Sequence, residues 1–237
     1  MVEPPAVVGD TGEPPPEDGD TAAPRGAVRV GARWYLTLRE AVAEAPAGST
    51  LWVEPGVHSG PFARGEDWQV TIRGATGKPG DVVLQGREGE QVFLFGRRVP
   101  RNTVLRDLTV RTSRAAVILP AMGTVYDGDL RLKSVVIEGS ITSPVLTVRG
   151  GRLLVEDCLF EGGARALSLY DELPLTADIR RTVFDGATRG AEAGNRFVEV
   201  TSERLHPSLS VTFEDCEFRN THMGGNATVL LTGYHPV

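Results

Sequence analysis

The chain has 237 residues, of which 25 are basic, 31 are acidic and 41 % are hydrophobic. This length suits one full domain, no run of 18 or more apolar residues exists that would span a bilayer, and two cysteines are too few for a disulfide scaffold. The acidic excess lies mostly in residues 1–26, so the remaining chain is nearly neutral, which argues against a nucleic-acid binder because such proteins need a basic face.

The first 26 residues contain six of the 16 prolines and six acidic residues against one arginine. A segment with low hydrophobicity and high charge cannot bury enough surface to offset the entropy of ordering, so residues 1–26 are predicted to be a disordered linker. The Gly-Asp-Thr pieces at 9–11 and 19–21 resemble the tethers of bacterial surface lipoproteins. The resemblance implies an extracellular, periplasmic or outer-surface protein in which Met1 replaces a removed signal sequence, and an ordinary N-terminal linker is the alternative.

One helix is predicted, near the start of the body that follows this linker. Thr37 and Glu40 fit the N-cap and N3 positions of a capping box, and Pro46 with Gly48 would end the helix. The apolar residues at helical spacing that would form one buried face are Leu38, Ala41, Val42 and Ala45. Beyond the helix, short β-rich runs parted by glycine and proline predict strands at 50–53, 70–72, 81–85 and 92–95.

A repeat follows, in which each copy has an apolar residue, two polar residues and an alternating strand. The second polar residue anchors the alignment at Asp107, Ser134, Asp157, Arg181 and Asp215. A second apolar strand lies after each anchor, at 115–120, 145–149, 166–170, 197–200 and 227–231. Short strands repeating every 23 to 34 residues without helices predict a solenoid, with each polar pair forming a sharp corner whose outward side chains make an ion-pair ladder. A β-sandwich is the main alternative, but it leaves the shared corner unexplained.

Two segments carry a family resemblance. LTLREAVAEAPAGSTLWVEPGVHSGPF at 36–62 and VTIRGATGKPGDVVLQG at 70–86 resemble the opening of proteins of the pectin-lyase-like superfamily. The resemblance implies an all-β fold, a right-handed parallel β-helix of about seven to eight turns with an N-terminal capping α-helix, in a single domain over 27–237. The C-terminal end has no such helix, so we expect a partner, the tail or self-association to cover it.

The two cysteines occupy the same position of the corner motif, with Thr182 between them. Cys158 and Cys216 would lie two turns apart, roughly 9–10 Å at the spacing of stacked strands. A disulfide needs Cα atoms within about 7 Å, so we predict two free, buried thiols.

The superfamily resemblance implies a binding groove on one parallel sheet, and the second strand of each repeat is the candidate. Strand alternation directs one column of side chains outward from that sheet, namely Ile118, Thr147, Ser168, Glu199 and Leu230. Ligand contacts are predicted at Tyr170, Ser168, Thr147 and Tyr126, because hydroxyls and flat rings suit sugars. Trp68 is a further stacking candidate, and the favoured alternative for these aromatic residues is that their rings cover the loop and cap cores. His58, after the Pro-Gly turn, is predicted to be exposed.

Catalytic candidates are few: Glu199, Arg149, Asp171 and His206 are the residues that would lie near this groove. Glycoside hydrolysis commonly needs two carboxylates, and Asp171 and Glu172 could approach Glu199 from the loop one turn away. A polysaccharide lyase needs a lysine or arginine base and acidic groups that hold calcium, but no acidic cluster of that kind is present in the sequence. The sequence therefore predicts no metal site and no cofactor, with calcium implied only for a lyase.

Three functions remain open. The first is a secreted or surface-tethered, non-catalytic protein that binds a carbohydrate or another cell-envelope component. The second is a small polysaccharide lyase or hydrolase of the pectin-lyase-like kind. The third is a structural or assembly module that associates through its C-terminal end. The first is favoured because the sequence lacks a catalytic constellation, and neither a nucleic acid nor a transmembrane segment is expected.

Overall fold

A computed structural model describes most of the chain: residues 27–64, 68–87, 90–95, 102–112, 122–125, 127–139, 144–162, 165–186, 198–202, 209–219 and 229–233. Strands dominate this part, joined by one α-helix and one 3-10 turn at Pro79–Asp81. The predicted all-β class is confirmed. The predicted linker at 1–26 lies outside the described residues.

The helix α1 (Leu38–Glu44) forms as predicted. The Thr37 hydroxyl oxygen accepts a hydrogen bond of 3.2 Å from the Glu40 amide, and the predicted apolar face is buried. At the other end, the Arg64 guanidinium donates a hydrogen bond of 3.0 Å to the Val42 carbonyl, which satisfies one of the last helical acceptors. The sequence reading missed the hairpin that precedes the helix, β1 (Val28–Val30) and β2 (Arg33–Tyr35).

The remaining strands are short. They are β3 (Ser49–Val53), β4 (Gly56–Ser59), β5 (Phe62–Ala63), β6 (Val70–Gly74), β7 (Val82–Gln85), β8 (Phe93–Leu94), β9 (Thr103–Arg111), β10 (Gly123–Val125), β11 (Gly128–Glu138), β12 (Pro144–Val148), β13 (Gly151–Glu156), β14 (Leu159–Glu161), β15 (Arg165–Tyr170), β16 (Leu175–Arg180), β17 (Val183–Asp185), β18 (Val198–Ser202), β19 (Leu209–Glu214), β20 (Glu217–Arg219) and β21 (Val229–Gly233).

Nearly all strand pairs are parallel. The largest sheet has the order β19-β16-β13-β11-β9-β6-β3-β1-β2, with the branches β14-β17-β20 and β4-β7 joined to it. A second sheet has the order β10-β12-β15-β18-β21, and β5 pairs with β8. Only β1 pairs antiparallel among the described strands, with both β2 and β3. This hairpin covers the edge of β3, whereas the sequence predicted that the helix alone would cap this end of the fold.

The five predicted corners are confirmed by their backbone. Asp107, Ser134, Asp157, Arg181 and Asp215 all have φ between 45° and 55°, the left-handed region that produces an abrupt change of direction. Asp107 departs from the prediction that every corner side chain points outward, because it is only 6 % exposed. Its carboxylate accepts hydrogen bonds from the guanidinium groups of Arg73 at 3.0 Å and Arg106 at 3.1 Å, which offset the cost of burying the charge.

The predicted ion-pair ladder also forms along these corners. Lys133 lies 3.4 Å from Glu156, Arg181 lies 2.7 Å from Asp157 and also pairs with Glu156, and Arg180 lies 3.3 Å from Glu214. Hydrogen bonds from Arg181 hold the pKa values of Glu156 and Asp157 below their usual range. Because these groups are largely solvated, each pair contributes little to the stability of the fold.

The cysteines lie in a ladder of side chains beside the corners. Cys158 and Cys216 donate to the carbonyls of Glu156 at 3.2 Å and Glu214 at 3.5 Å, as the Thr182 hydroxyl does at 2.9 Å to the carbonyl two residues before it. Both thiols are free, and burial raises the pKa of Cys158 to about 12. The prediction of burial is wrong for Cys216, which is half-buried because it lies beside β20, whose one partner among the described strands is β17.

Candidate functional site

The second sheet brings the predicted column together. Thr147 of β12, Ser168 of β15 and Glu199 of β18 are direct partners in register, followed by Leu230 of β21. On its other side Thr147 pairs with Thr124 of β10, whereas Ile118 and the predicted strand 115–120 lie outside the described residues.

This column is not an open groove at its centre. Thr147 is 5 % exposed and Ser168 is fully buried, whereas Glu199 is half-buried. Strand alternation tells which way a side chain points, but not what packs over it, so the sequence could not foresee this covering. Within the described part of the chain the Ser168 hydroxyl has no hydrogen-bond partner. The assignment of Thr147 and Ser168 as ligand contacts stays a prediction.

A cluster of charged and aromatic side chains lies where β12 and β15 end. The Arg149 guanidinium pairs with the Glu172 carboxylate, and its central carbon lies 4.7 Å from the centroid of the Tyr170 ring. Tyr170 is half-buried and is the register partner of Thr201 on β18. About a third of the Arg149 and Glu172 side chains is exposed. We call Arg149, Tyr170 and Glu172 the edge cluster.

Asp171 follows Tyr170 and is turned into the protein. Asp171 is 1 % exposed, and its backbone amide donates a hydrogen bond of 3.3 Å to the Thr201 carbonyl. The backbone therefore brings Asp171 to the same strand as Glu199, and the pairing of their two carboxyl groups stays a prediction. The two carboxyl groups differ in access, because Glu199 is half-buried and Asp171 is covered.

The edge cluster is better suited to binding than to proton transfer. A guanidinium group stays protonated in proteins, so Arg149 offers fixed donors and a positive charge and is a poor base. Its contact with the Tyr170 ring is a cation–π pair that orients the guanidinium while leaving part of it at the surface. Charge, a flat ring and a phenolic hydroxyl thus lie side by side at one sheet edge.

His58 lies inside the protein, contrary to its predicted exposure. It was expected at the surface, but it is only 6 % exposed, and its imidazole Nε2 donates a hydrogen bond of 3.0 Å to the Glu54 carbonyl. The reason is the register of β4, in which Val57 and Ser59 point outward and His58 inward. Burial lowers the pKa of His58, and the hydrogen bond to Glu54 opposes part of that effect.

Because His58 is buried, the free energy of unfolding is expected to depend on pH. As the pH falls through about 6.5, the unfolded chain protonates His58 while the folded protein keeps the imidazole neutral, so the free energy of unfolding should fall. The decline should level off below the lowered folded-state pKa. In His58→Gln, which keeps a donor for Glu54, the slope of stability between pH 7 and 5 should be smaller in urea titrations followed by circular dichroism. The carboxylates paired with Arg181 respond only at lower pH, and parallel curves for the two proteins would contradict the assignment.

The remaining aromatic and histidine candidates for ligand contacts or catalysis are either buried or outside the described residues. The prediction of Trp68 as a sugar-stacking residue is wrong, because Trp68 is fully buried in the core. Its ring centroid lies 6.0 Å from that of Phe93 and 5.1 Å from that of Phe95. Tyr126 and His206 lie outside the described residues.

The described residues contain neither a group suited to a metal ion nor a membrane-spanning helix, and the chain has no match among known proteins. No three histidine, cysteine or acidic residues of the described part are grouped so as to hold a metal ion. None of its helices has the length and apolar character needed to cross a membrane. No family model, curated protein or solved structure matches the chain. The resemblance to the pectin-lyase-like superfamily therefore rests on the residues quoted above.

Proposed function

We propose that the chain is a right-handed parallel β-helix protein of the pectin-lyase-like type that binds an acidic polysaccharide of the cell envelope without cleaving it. The fold proposal is supported by parallel strands that pair with strands one repeat away, and by left-handed corners at the same position of five repeats. Right-handed crossovers are the general rule for parallel strands. We also propose export, with residues 1–26 as a surface tether.

The edge cluster is the observation that carries the binding proposal. Uronic acid sugars combine a carboxylate with an apolar ring face, and Arg149 beside Tyr170 offers a partner for each. Glu172 neutralises the guanidinium in the absence of a ligand, so an acidic sugar would compete with an internal carboxylate. Binding should therefore weaken with ionic strength.

Affinity electrophoresis in gels that contain acidic or neutral polysaccharides tests this. The protein should be retarded by at least one acidic polymer, and Tyr170→Ala should reduce the affinity up to about tenfold, the effect of losing one ring contact. Trp34→Ala is the matched control, because Trp34 is 46 % exposed and also lies against an arginine, Arg29, at 5.7 Å on the β1–β2 hairpin. Equal retardation of both variants and the parent would refute the site.

A hydrolase or lyase is the second candidate, because the bond from Asp171 to Thr201 brings two acidic residues near one strand. Incubation with the same polymers, with and without calcium, is expected to release no new reducing ends. Release that is lost in Glu199→Gln, Asp171→Asn or Arg149→Ala would overturn the non-catalytic proposal and favour the enzyme.

A further inference from the structure

A cavity lies in the N-terminal part of the described chain, far in sequence from the edge cluster. It has a volume of about 360 Å³ and is enclosed by the residues that enter α1, by β4 and by the start of β5. This volume falls in the range of about 300–1,000 Å³ that small-molecule sites occupy. Neither the proposed polysaccharide site nor the corner ladder uses any of its residues.

Apolar side chains at this cavity are unusually open to solvent. Leu36 is 79 % exposed and Val57 is 61 % exposed, and both line the cavity. Below them Phe62 is fully buried and belongs to the core. Exposed aliphatic side chains around a concavity with an apolar floor would be removed from water by a ligand with a hydrocarbon part.

The charged groups at the cavity have one sign. Arg39 and Arg87 line it, and none of the described residues that line it is acidic. Arg39 donates a single hydrogen bond of 2.8 Å, to the Gly60 carbonyl, which leaves further N–H donors on its guanidinium. Arg87 is exposed and makes no ion pair within the described part of the chain. His58 contributes a neutral ring whose Nε2 proton is already donated to Glu54.

We propose that this cavity binds a small amphiphilic anion, a carboxylate attached to a hydrocarbon chain. The guanidinium groups of Arg39 and Arg87 would bind the carboxylate, and Leu36, Val57 and Phe62 would contact the chain. A guanidinium can accept a planar carboxylate with two parallel hydrogen bonds, which favours this head group over an alcohol or an amine.

Isothermal titration calorimetry of the 237-residue protein with sodium octanoate tests the proposal. Saturable 1:1 binding is expected, with octanamide and acetate binding at least tenfold more weakly and octylamine not binding. Arg87→Gln and Leu36→Ser should each weaken octanoate binding about tenfold, because one removes a charged donor and the other removes the apolar rim. Matched controls are Arg131→Gln, at an exposed arginine of β11, and Leu173→Ser, at a leucine that is 41 % exposed.

Several results would overturn the inference. Absence of saturable heat, equal affinity for acetate and octanoate, or unchanged affinity in both cavity variants would each do so. A synthetic peptide of residues 1–26 provides a further probe, because this acidic segment could occupy the arginines; peptide binding that excludes octanoate would replace the small-molecule proposal. Tyr170→Ala should keep full octanoate affinity, so failure at this cavity is distinguishable from failure at the edge cluster.

Discussion

Replacement of Phe184 by alanine is expected to lower the free energy of unfolding by about 3–5 kcal/mol, the usual cost of truncating a buried aromatic side chain. Phe184 is fully buried and lies between two other rings. Its centroid is 5.0 Å from that of Phe160 and 5.0 Å from that of Phe218, with interplanar angles of 14° and 9°. Alanine at this position would open a cavity between both neighbours, and parallel strands that pair on either side leave little room for collapse.

The matched variant is Phe218→Ala, at the neighbouring ring of the same stack, on β20. Phe218 is half-buried, so its truncation should cost about 1–2 kcal/mol, roughly half the transfer term and a smaller cavity. Urea denaturation followed by circular dichroism measures both. Equal losses for the two variants would contradict the difference in burial between Phe184 and Phe218.

The sequence predicted these features well where a repeat forced one solution. Asp, Ser and Arg recur two residues after an apolar residue at five places, and only a shared backbone geometry explains why a polar pair returns there; the left-handed φ values at all five are that geometry. The helix was equally clear, because the Thr37 hydroxyl accepts a hydrogen bond from the Glu40 amide at its start and the helical period sets the apolar face.

Prediction failed where a side chain's surroundings depend on neighbouring strands. The single-strand pattern of β4 cannot show whether Val57 or His58 faces the core, because either register buries one residue in two. The register of the predicted column is confirmed from Thr147 to Leu230, yet the burial of Ser168 depends on whatever covers the sheet. The β1–β2 hairpin was missed because each strand has only three residues, too few for alternation to stand out.

The edge cluster lies between these cases. The sequence indicated Arg149 and Tyr170 separately, one as a candidate base and the other as a candidate ring contact. It did not foresee that the guanidinium would lie over the ring and pair with Glu172. That pairing changes the chemical interpretation of Arg149 from a base to a binding group, and it could be found only from the positions of the side chains.

The second large effect is expected from Gly151→Ala. Gly151 begins β13 with φ of +83°, and an added methyl carbon would lie 2.3 Å from both the amide nitrogen and the carbonyl oxygen of Gly128, its partner in register on β11. Both atoms belong to the backbone, so neither can rotate aside, and the two strands would have to separate. An unfavourable φ costs about 1–2 kcal/mol and overpacking about 1–3 kcal/mol, so we expect a loss of about 3 kcal/mol or more.

Gly162→Ala separates these two causes, because Gly162 has φ of +71° but no atom within 4 Å of the added methyl position. It should lose only the conformational part, about 1–2 kcal/mol. Thermal and urea unfolding of the two variants gives the difference, and if Gly151→Ala does not accumulate as folded protein while Gly162→Ala does, the same conclusion follows. Equal losses would show that β11 and β13 can move apart freely. A larger loss at Gly151 would mean that the close approach of the Gly128 and Gly151 backbones fixes where one repeat follows the next.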